Sequence, residues 1–429
     1  MITAIVVALL FAMLVIGTPV ALALAVSGSL GLYMMGGTPM LMGILETTPL
    51  STASSYELIT IPMFILMAEF VVLSGVADDL FDAAAAWIGR LRGGLAMATA
   101  LAGAGFGAIS GSSTASAATL SSTTIPAMLR QGYEPKLATG VVAISGTLAM
   151  LIPPSIALIL YGIIADVNIG DLLIGGVIPG LLVTLTIILT VAFLVWQDPA
   201  RAPAGRSYTL REKLSKLRVV APLLLLFLLV TGTIYSGIAT PTEASGIGAF
   251  GALVLVALAR RLSFGAVRAS LLRSAEATCM ILFIVLGAHI FGYFFTLTRT
   301  TNDLVALIGT LEVSRWAILA IIMVGYLILG CFMDQIAILI LTVPIVLPVI
   351  QSLGFDPVWF GVLVVVTAEV GMVTPPLGLN AFVVARYTRR PLGEIFGGIL
   401  PHFWAHLIVI ALIAAFPAIV TWLPSTMGR

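Results

Sequence analysis

The chain has 429 residues, of which 60% are hydrophobic and 9% are charged, and its formal net charge is +1. Soluble domains carry about 25% charged residues, so this composition excludes a soluble globular protein and indicates a protein that crosses a membrane many times. The small net charge gives no reason to expect a nucleic-acid partner.

Apolar runs follow one another along the chain, each long enough, or nearly so, to cross a bilayer. The first has no basic residue before it, because the first Lys or Arg is Arg90, and it is interpreted as a retained helix and not as a signal peptide. The runs are 2–16, 18–35, 59–75, 136–165 and 172–195 in the first half, and 219–236, 240–258, 275–297, 358–385 and 395–421 in the second.

Two further segments, 94–129 and 315–350, each lie between the third and fourth apolar run of one half. Each is too long for a single span and is interrupted by glycine or polar residues, so we expect a helical hairpin that enters and leaves by the same face of the membrane. The longest polar stretch, 197–218, is the predicted cytoplasmic linker between a first half, 1–196, and a second half, 219–429.

The two halves repeat each other at a constant offset of 222 residues (354 minus 132). Each half holds an odd number of crossings, so the halves must have opposite orientations, as in many secondary transporters. The predicted fold class is an all-α polytopic membrane protein, an inverted repeat of two five-span halves with one re-entrant hairpin each. The offset relates GYEP (132–135) to GFDP (354–357), Pro126 to Pro348, Pro153 and Pro154 to Pro375 and Pro376, Pro179 to Pro401, and Thr18 and Pro19 to Thr240 and Pro241.

The basic residues predict the orientation, since Lys and Arg favour the cytoplasmic side. With the N-terminus outside, all 20 Lys and Arg residues except Arg299, Arg315 and Arg429 lie inside. The first hairpin then enters from the cytoplasm and the second from the periplasm.

The hairpin tips and the double prolines indicate ion binding. The offset relates Ser112, in a serine-rich stretch, to Asp334, so the two stretches are predicted to be equivalent tips near the midplane of the membrane. The helices after the hairpins, 136–165 and 358–385, each carry a double proline, which is expected to break the helix and free carbonyl oxygens. Such oxygens suit sodium, and the N-termini of half-helices suit an anion. Small polar residues in membrane helices also serve as packing contacts, which is the alternative interpretation.

Ionisable residues inside spans are costly and usually functional, which directs attention to a few side chains. Asp334, Glu369 and Glu243 are the candidates. We expect Glu69, Glu276 and His289 to lie near an interface or to bond to a neighbouring helix. His402 and His406 are four residues apart without an acidic residue between them, and we expect both to lie at an interface.

Enzymatic and metal-cluster chemistry find little support in the sequence. It has no Gly-rich phosphate loop with Lys and Ser or Thr, so direct ATP coupling is unsupported. Cys279 and Cys331 lie far apart in apolar segments, which predicts neither a disulfide framework nor a metal cluster.

Several motifs in combination resemble the large transmembrane subunit of tripartite ATP-independent periplasmic (TRAP) transporters, over essentially the full length. The resemblance implies an elevator-type, sodium-coupled transporter whose mobile domain contains both hairpins. It also implies a bacterial or archaeal cytoplasmic membrane, a small four-helix membrane subunit and a soluble periplasmic protein that captures a carboxylate substrate. The motifs are GAISGSSTASAATLSSTTIPAML (107–129), GYEP (132–135), LIPPSIALILYG (151–162), IGDLLIGGVIPG (169–180), TPTEASGIGA (240–249) and GMVTPPLGLNAFVVA (371–385).

The resemblance also assigns site residues by motif. Ala149 stands where the family often has glycine, which leaves its carbonyl ligand intact. Asp334 would repel an acidic substrate, so it is expected to cap a half-helix or to support a sodium cage. The first sodium site comprises Ser110, Ser112 and the carbonyls of Ala149, Ile152 and Pro154; the second comprises Gly330, Gly371, Thr374 and Leu377; the substrate contacts are Ser113, Thr114, Asp334 and Asn380.

The predicted function is sodium-coupled import of an organic acid, such as a C4-dicarboxylate or sialic acid. The alternative is a stand-alone ion-coupled carboxylate or anion transporter of the same hairpin plan, which would need no binding protein. A channel or a structural membrane subunit would show no saturable, gradient-dependent accumulation, and an intramembrane enzyme would lack a catalytic set.

Overall fold

The computed structural model describes residues 2–300 and 313–427, together with 303, 305, 306 and 310. Over this part of the chain the regular elements are helices, apart from one isolated antiparallel bridge between Arg92 and Ala204. Nine of the described helices are long and apolar enough to cross a membrane. The predicted all-α membrane fold is confirmed.

The helices of the first half follow the apolar pattern and the glycine and proline breaks of the sequence. The helix ends lie at residues such as Gly75, Gly93 and Gly111, whose positive φ suits glycine. The helices are α1 (Ile2–Val15), α2 (Val20–Ala53), α3 (Thr60–Ser74), α4 (Val76–Ile88), α5 (Gly94–Ser110), α6 (Ser113–Arg130), α7 (Pro135–Gly146), α8 (Ile156–Ala165), α9 (Ile169–Gly175) and α10 (Val177–Gln197).

The helices of the second half often begin after a side-chain cap, for example Thr209, Thr240, Asp334 and Asp356. They are α11 (Leu210–Tyr235), α12 (Pro241–Leu258), α13 (Phe264–Leu297), α14 (Arg315–Phe332), α15 (Gln335–Ser352), α16 (Pro357–Gly371), α17 (Leu379–Thr388), α18 (Leu392–Ala415) and α19 (Ala418–Ser425).

Two of these helices extend well beyond the predicted apolar runs. The first part of α2 matches the predicted run 18–35, because the helical backbone is interrupted at Gly37, whose φ is +65°, and a second part continues from there to Ala53. Pro39 follows the kink and lacks the amide hydrogen that a straight helix would use. α13 likewise begins at Phe264, well before residue 275. Both elements therefore include residues outside the segments that hydropathy selects.

The long helices α2 and α13 pack closely through glycine. A Cβ on Gly28 would lie 2.8 Å from Phe291 Cα, and a Cβ on Gly287 would lie 2.5 Å from Ala21 O. Small residues let helix backbones approach in this way within membranes. Together with α1, α3, α11 and α12, these two helices form a group that we call the scaffold helices.

The internal repeat is evident in the boundaries of the helices. Adding 222 (354 minus 132) to the bounds of α6 gives 335–352, which are the bounds of α15. The peptide bonds Pro153–Pro154 and Pro375–Pro376 are both cis, and Gly132 and Gly354 have φ values of +83° and +77°. The repeat therefore extends from sequence to backbone conformation.

The two broken helices, α7 with α8 and α16 with α17, run antiparallel to each other. Tyr161, late in α8, donates a hydrogen bond of 2.7 Å to the carbonyl of Pro357 at the start of α16. Asn380, at the start of α17, donates one of 3.4 Å to the carbonyl of Ala143 near the end of α7. The first part of each broken helix thus lies beside the second part of the other, as an inverted repeat requires.

Each hairpin packs against helices of both repeats. Hairpin 1 consists of α5 and α6, and hairpin 2 consists of α14 and α15. The first helix of each hairpin packs against the first part of its own broken helix, α5 on α7 and α14 on α16. The second helix packs against the second part of the other repeat's broken helix, α6 on α17 and α15 on α8. This exchange joins both hairpins and both breaks into one packed body, which we call the hairpin core.

The polar linker packs against both ends of hairpin 1. Ala204 pairs with Arg92, just before α5, and the amide of Glu134, just after α6, donates a 2.7 Å hydrogen bond to the carbonyl of Arg201. The side chains of Arg201 and Glu134 also form an ion pair of 3.6 Å. The linker is therefore ordered against the hairpin core.

Candidate functional site

The tip of hairpin 1 is a two-residue interruption between α5 and α6. Gly111 has φ +54°, a left-handed conformation that glycine adopts without steric cost, and it ends α5. Ser112 is extended and caps α6, since its Oγ accepts a hydrogen bond of 3.4 Å from the amide of Ala115. Ser110 Oγ lies 2.7 Å from Ser116 Oγ and 3.4 Å from the carbonyl oxygen of Ser112. The tip therefore gathers several hydroxyl and carbonyl oxygens.

The break in the first broken helix lies against α5. A Cβ on Gly107 would be 2.8 Å from the Cα of Ala149, so the two backbones are in contact. Ser155 caps α8, donating to the carbonyl of Met150 and accepting from the amide of Leu158 at 3.2 Å. In the part of the chain that the structure describes, no hydrogen bond reaches the carbonyl oxygens of Ile152 and Pro154. Unbonded carbonyl oxygens near hydroxyls have the chemistry of a hard-cation site.

The second tip and break repeat this arrangement with different side chains. A Cβ on Gly330 would be 2.7 Å from the Cα of Gly371, so α14 touches the break of α16. Thr374 Oγ1 donates to the carbonyl of Val370 at 2.6 Å. Among the described residues, no hydrogen bond reaches the carbonyl of Thr374 or that of Leu377. The oxygen chemistry suits a cation here as well.

Asp334 caps α15, one of the two roles expected for it. Its Oδ1 accepts hydrogen bonds from the amides of Ile336 at 2.7 Å and Ala337 at 3.3 Å. A carboxylate at a helix N-terminus also interacts favourably with the helix dipole. The negative charge of this tip is thus partly compensated by the helix that it begins.

Two of the proposed substrate residues are buried and bonded to each other. Ser113 is 1% exposed, Asn380 is 0% exposed, and Asn380 Nδ2 donates to Ser113 Oγ at 2.8 Å. Ser113 Oγ in turn donates to Glu369 Oε2 at 3.1 Å, and Glu369 is 3% exposed. These contacts join hairpin 1 to the second broken helix. In this conformation the three side chains form a closed contact between the repeats.

Thr114 lies on the open side of the same tip. It lines a cavity of about 610 Å³ with Ala115 and Ala118 of α6 and with Val383, Arg386 and Tyr387 of α17. Arg386 is exposed and has no ion pair or hydrogen bond among the described residues. The cavity therefore combines a hydroxyl near the tip with an available positive charge.

Other sequence predictions meet different outcomes. Glu69 forms an ion pair of 2.7 Å with Arg273, and His289 Nδ1 lies 2.8 Å from Thr52 Oγ1, as expected for contacts between helices. The prediction that Glu243 is a buried charge was wrong. Glu243 is exposed and completes a capping box with Thr240, accepting a hydrogen bond from the amide of Thr240 at 2.8 Å.

The expected interfacial position of the histidine pair was also wrong. His402 is 0% exposed and His406 is 1% exposed, because α18 packs between α7, α10 and α16. The spacing of four places both on one face of the helix, and the apolar residues around them in the sequence gave no sign of which face is covered.

The sequence alone did not reveal three features of the site. The Ser113–Glu369 hydrogen bond joins residues 256 apart. Gln335 is 0% exposed and donates to the carbonyl of Val365 at 3.1 Å. Arg386 reaches the cavity beside Thr114. The inverted repeat was the available signal for the first, since it predicts that the tip of one hairpin meets the broken helix of the other half.

Inverted repeats built around discontinuous helices are a common architecture of secondary transporters. The family model "Tripartite ATP-independent periplasmic transporter, DctM component" matches residues 7–419. The chain belongs to this family, as its motifs predict. It is a multi-pass membrane protein and a TRAP transporter large permease subunit, not an enzyme.

Curated relatives differ in the substrates that their names give. The chain is 37% identical over 378 residues to the C4-dicarboxylate TRAP transporter large permease protein DctM of Pseudomonas aeruginosa, covering 88% of each chain. It is 32% identical to the protein of the same name from Rhodobacter capsulatus, covering 98% of each. It is 29% identical to the ectoine TRAP transporter large permease protein TeaC of Halomonas elongata, again covering 98% of each.

A solved structure shares the fold. The Alcanivorax borkumensis YdaH transporter superposes with a TM-score of 0.66 at 17% identity, over 90% of this chain and 89% of that one. At this identity the likeness concerns the fold alone.

Proposed function

We propose that this chain is the membrane subunit through which a sodium-coupled transporter imports an organic acid delivered by a periplasmic binding protein. The observation that carries the proposal is that each hairpin tip lies against a helix break with unbonded carbonyl oxygens, in two inverted copies. At the first tip these are the carbonyls of Ile152 and Pro154, and at the second those of Thr374 and Leu377.

Sodium is the coupling ion favoured by this chemistry. Carbonyl and hydroxyl oxygens are hard ligands, and no acidic cluster for a divalent metal is found among the described residues. The first site would use Ser110 and Ser112 with the carbonyls of Ala149, Ile152 and Pro154, and the second would use Gly330, Gly371, Thr374 and Leu377. A membrane potential contributes about 2.3 kcal/mol per 100 mV for each net positive charge moved inward.

A carboxylate substrate is supported by the cavity beside hairpin 1. Arg386 provides a positive charge there, and Thr114 a hydroxyl close to the tip. The relatives named for C4-dicarboxylates agree with an anionic substrate, whereas the relative named for ectoine shows that the family's substrates vary.

An elevator mechanism is supported by the grouping of the helices. The scaffold helices pack mainly on one another, and so do the helices of the hairpin core. Between the two groups lies an apolar cavity of about 270 Å³, lined by Met67 and Leu223 from the scaffold helices and by Ile152 and Pro154 from the first break. An apolar contact without specific polar partners would allow the core to slide.

The family description, which makes the chain one component of a tripartite system, supports two partners. These would be a small four-helix membrane subunit and a periplasmic binding protein, in a bacterial or archaeal cytoplasmic membrane with the N-terminus in the periplasm. If the chain alone accumulated substrate, the stand-alone transporter would replace this proposal.

The deciding experiment reconstitutes the chain with both partners in proteoliposomes and measures uptake of radiolabelled carboxylates, beginning with succinate, under an inward sodium gradient. We expect Ser112→Val and Thr374→Val each to lower sodium-stimulated uptake at least tenfold, because each places a methyl group among the oxygens. Ser122→Val is the matched control, since Ser122 is exposed on α6 and bonds only the carbonyl of Thr119. Undiminished uptake in both site variants would contradict the sodium assignment.

A further inference from the structure

The cavity between the scaffold helices and the hairpin core is apolar on all sides. It measures about 270 Å³, and its walls consist of leucine, valine, isoleucine, methionine, phenylalanine, proline, alanine and glycine. A cavity of this kind stays dry, because apolar walls give water no hydrogen-bond partner. Atoms that line a void forgo dispersion contacts, which an apolar occupant supplies. The cavity therefore favours a hydrocarbon ligand.

This cavity opens between α10 and α11. Leu181 of α10 and Leu224 of α11 both line it and are both exposed, as is Leu101 of α5 on the same rim. α10 packs mainly on α5 and α18, and α11 packs mainly on α4 and α12. Both helices belong to segments that are long and apolar enough to cross a membrane. The surroundings of the opening are therefore the hydrocarbon chains of the bilayer.

α11 leads from the cavity to a basic side chain. Lys213 lies 11 residues before Leu224 (224 minus 213), which is three helical turns, so the two side chains share a face of the helix. Their separation along the axis is about 16 Å, close to half of the roughly 30 Å thickness of a bilayer's hydrocarbon core. A lipid whose chain enters the cavity at Leu224 would thus have its headgroup at the level of Lys213.

α4 leads from the same cavity to an aromatic ring. Leu80 lines the cavity, and Trp87, seven residues later (87 minus 80), lies on the same face of α4. Trp87 is exposed, and Lys213 Nζ lies 5.6 Å from the centre of its ring. Tryptophan is enriched at the level of lipid headgroups. The two helices therefore bring a cation and an indole together beyond one end of the cavity.

The charge of Lys213 remains available for an anion. Lys216, one turn further along α11, is paired with Asp82 of α4 at 2.7 Å. Among the residues that the structure describes, no ion pair engages Lys213, Arg90 or Arg92, and the two arginines are exposed in the turn between α4 and α5. Basic side chains at a membrane surface attract anionic lipids.

We propose that this cavity and the adjoining basic residues form a binding site for an anionic phospholipid. One acyl chain occupies the cavity through the opening between α10 and α11, and the phosphate of the headgroup lies at Lys213 beside Trp87. The chain supplies the dispersion contacts of the cavity walls, and Lys213 supplies the preference for negative charge. Lys213 belongs to the linker between the two halves, so the site occurs once per molecule.

Occupancy of the site is linked to the relative position of the two helix groups, a consequence that rests on the proposed elevator function. Met67 and Leu223 line the cavity from the scaffold helices, and Ile152 and Pro154 line it from the first break. Sliding of the hairpin core would change the shape of the cavity and displace the chain. A ligand that binds one conformation better than another stabilises it, so the lipid slows departure from the present conformation.

Native mass spectrometry of the purified, delipidated transporter complex tests the binding, with phosphatidylglycerol and phosphatidylcholine as the probes. We expect the wild type to bind phosphatidylglycerol more tightly than phosphatidylcholine. Lys213→Gln should weaken binding of the first phosphatidylglycerol about fivefold, as expected for one basic side chain at an anionic lipid headgroup. Equal affinity of the wild type for the two lipids, or an unchanged affinity in Lys213→Gln, would overturn the proposal.

Arg211→Gln is the matched control for the headgroup. Arg211 is exposed and lies two residues before Lys213, so it projects from a different face of α11. Its affinity for phosphatidylglycerol should equal that of the wild type. An equal loss in Arg211→Gln would mean general attraction to the basic linker and would contradict a site at Lys213.

The acyl chain is tested by Ala104→Leu, which fills the cavity from α5. Phosphatidylglycerol should raise the unfolding temperature of the wild-type complex in detergent and leave that of Ala104→Leu unchanged. Ala221→Leu on α11 is the matched control, because Ala221 does not line the cavity, and it should keep the wild-type shift. A wild-type shift in Ala104→Leu would contradict the placement of the chain. If Ala104→Leu does not fold, the exposed-site variant Lys213→Gln still decides the proposal.

The effect on transport is measured in proteoliposomes made from phosphatidylcholine with and without phosphatidylglycerol. We expect phosphatidylglycerol to lower the uptake rate of the wild type and of Arg211→Gln, and to leave the rate of Lys213→Gln unchanged. A wild-type rate that does not depend on phosphatidylglycerol would contradict the link to sliding. The binding and unfolding measurements require no transport, so failure of the proposed function would leave them intact.

Discussion

The two hairpin tips have the same backbone plan and different chemistry. Tip 1 is capped by the neutral Ser112 and followed by Ser113, whereas tip 2 is capped by the acidic Asp334 and followed by Gln335. Each tip lies against a double-proline break, and each second helix spans the equivalent 18 residues. Symmetry thus fixes where the polar groups meet, while the side chains decide the charge and the hydrogen-bonding groups of each tip.

The largest expected effect comes from placing a side chain where two backbones lie in close contact, which occurs near both tips. Gly330→Val places a side chain 2.7 Å from Gly371 Cα, and Gly107→Val places one 2.8 Å from Ala149 Cα. Neither neighbour is a flexible side chain, so overpacking should cost about 1–3 kcal/mol or more and abolish uptake. Thermal unfolding in detergent and sodium-driven uptake measure both.

The matched control for these variants is Gly325→Val on the same helix as Gly330. A Cβ at Gly325 would meet nothing within 4 Å. Gly325→Val should unfold at the wild-type temperature. An equal decrease of the unfolding temperature in all three variants would mean that helix propensity, not contact at the breaks, is responsible.

The next effect distinguishes the two sides of the hairpin core. Arg386 lines the cavity beside hairpin 1, whereas the equivalent residue, Ile164 (386 minus 222), lines a cavity beside hairpin 2 with Pro344. If the carboxylate binds on the side of hairpin 1, Arg386→Gln should raise KM about tenfold, as expected for loss of a charge-assisted hydrogen bond worth about 1.5 kcal/mol.

Uptake kinetics at saturating sodium check this prediction, with Arg389→Gln as the control because Arg389 does not line the cavity. An unchanged KM in Arg386→Gln, or an equal increase in Arg389→Gln, would exclude a specific anion contact at Arg386.

A smaller effect separates the two possible roles of Asp334. As a cap, it should be replaceable by Asn, which accepts the same amide hydrogens, whereas Asp334→Ala should cost about 1 kcal/mol of stability. Uptake by Asp334→Asn close to wild type would make the cap the main role. A loss of sodium stimulation in Asp334→Asn at unchanged stability would instead require the charge.

The smallest effect concerns the outer ends of the hairpins. Glu134 of GYEP pairs with Arg201 of the linker at 3.6 Å, whereas the equivalent Asp356 of GFDP caps α16 by accepting from the amide of Trp359 at 2.8 Å. The two side chains are each 34% exposed and 3.6 Å apart, so solvent screens the pair and Arg201→Ala should change stability by less than about 1 kcal/mol. Asp356→Ala should cost more, about 1 kcal/mol, and the reverse order in thermal unfolding would contradict this comparison.

Much of the fold follows from local patterns that can be identified in the sequence. The offset of 222 residues (354 minus 132), the apolar runs and the double prolines are covalent facts, and they suffice for an all-helical inverted repeat with two hairpins. The second part of α2, which follows the interruption at Gly37, was not predicted, because no apolar run was assigned between residues 36 and 58. Glu243 was likewise misassigned, because an acidic residue beside an apolar run can either complete a capping box or lie buried within the span.

The features of the candidate site also fall into those that the sequence predicts and those that only the tertiary structure decides. The types of residue at the tips and breaks, and the resemblance to a transporter family, come from the sequence, because oxygen-rich tips and proline breaks follow from composition and spacing. The tertiary structure alone decided that Ser113 faces Glu369 across 256 residues, and that His402 and His406 are covered. Long-range contacts and the covered face of a helix depend on how helices pack, and a periodic apolar sequence permits several such packings.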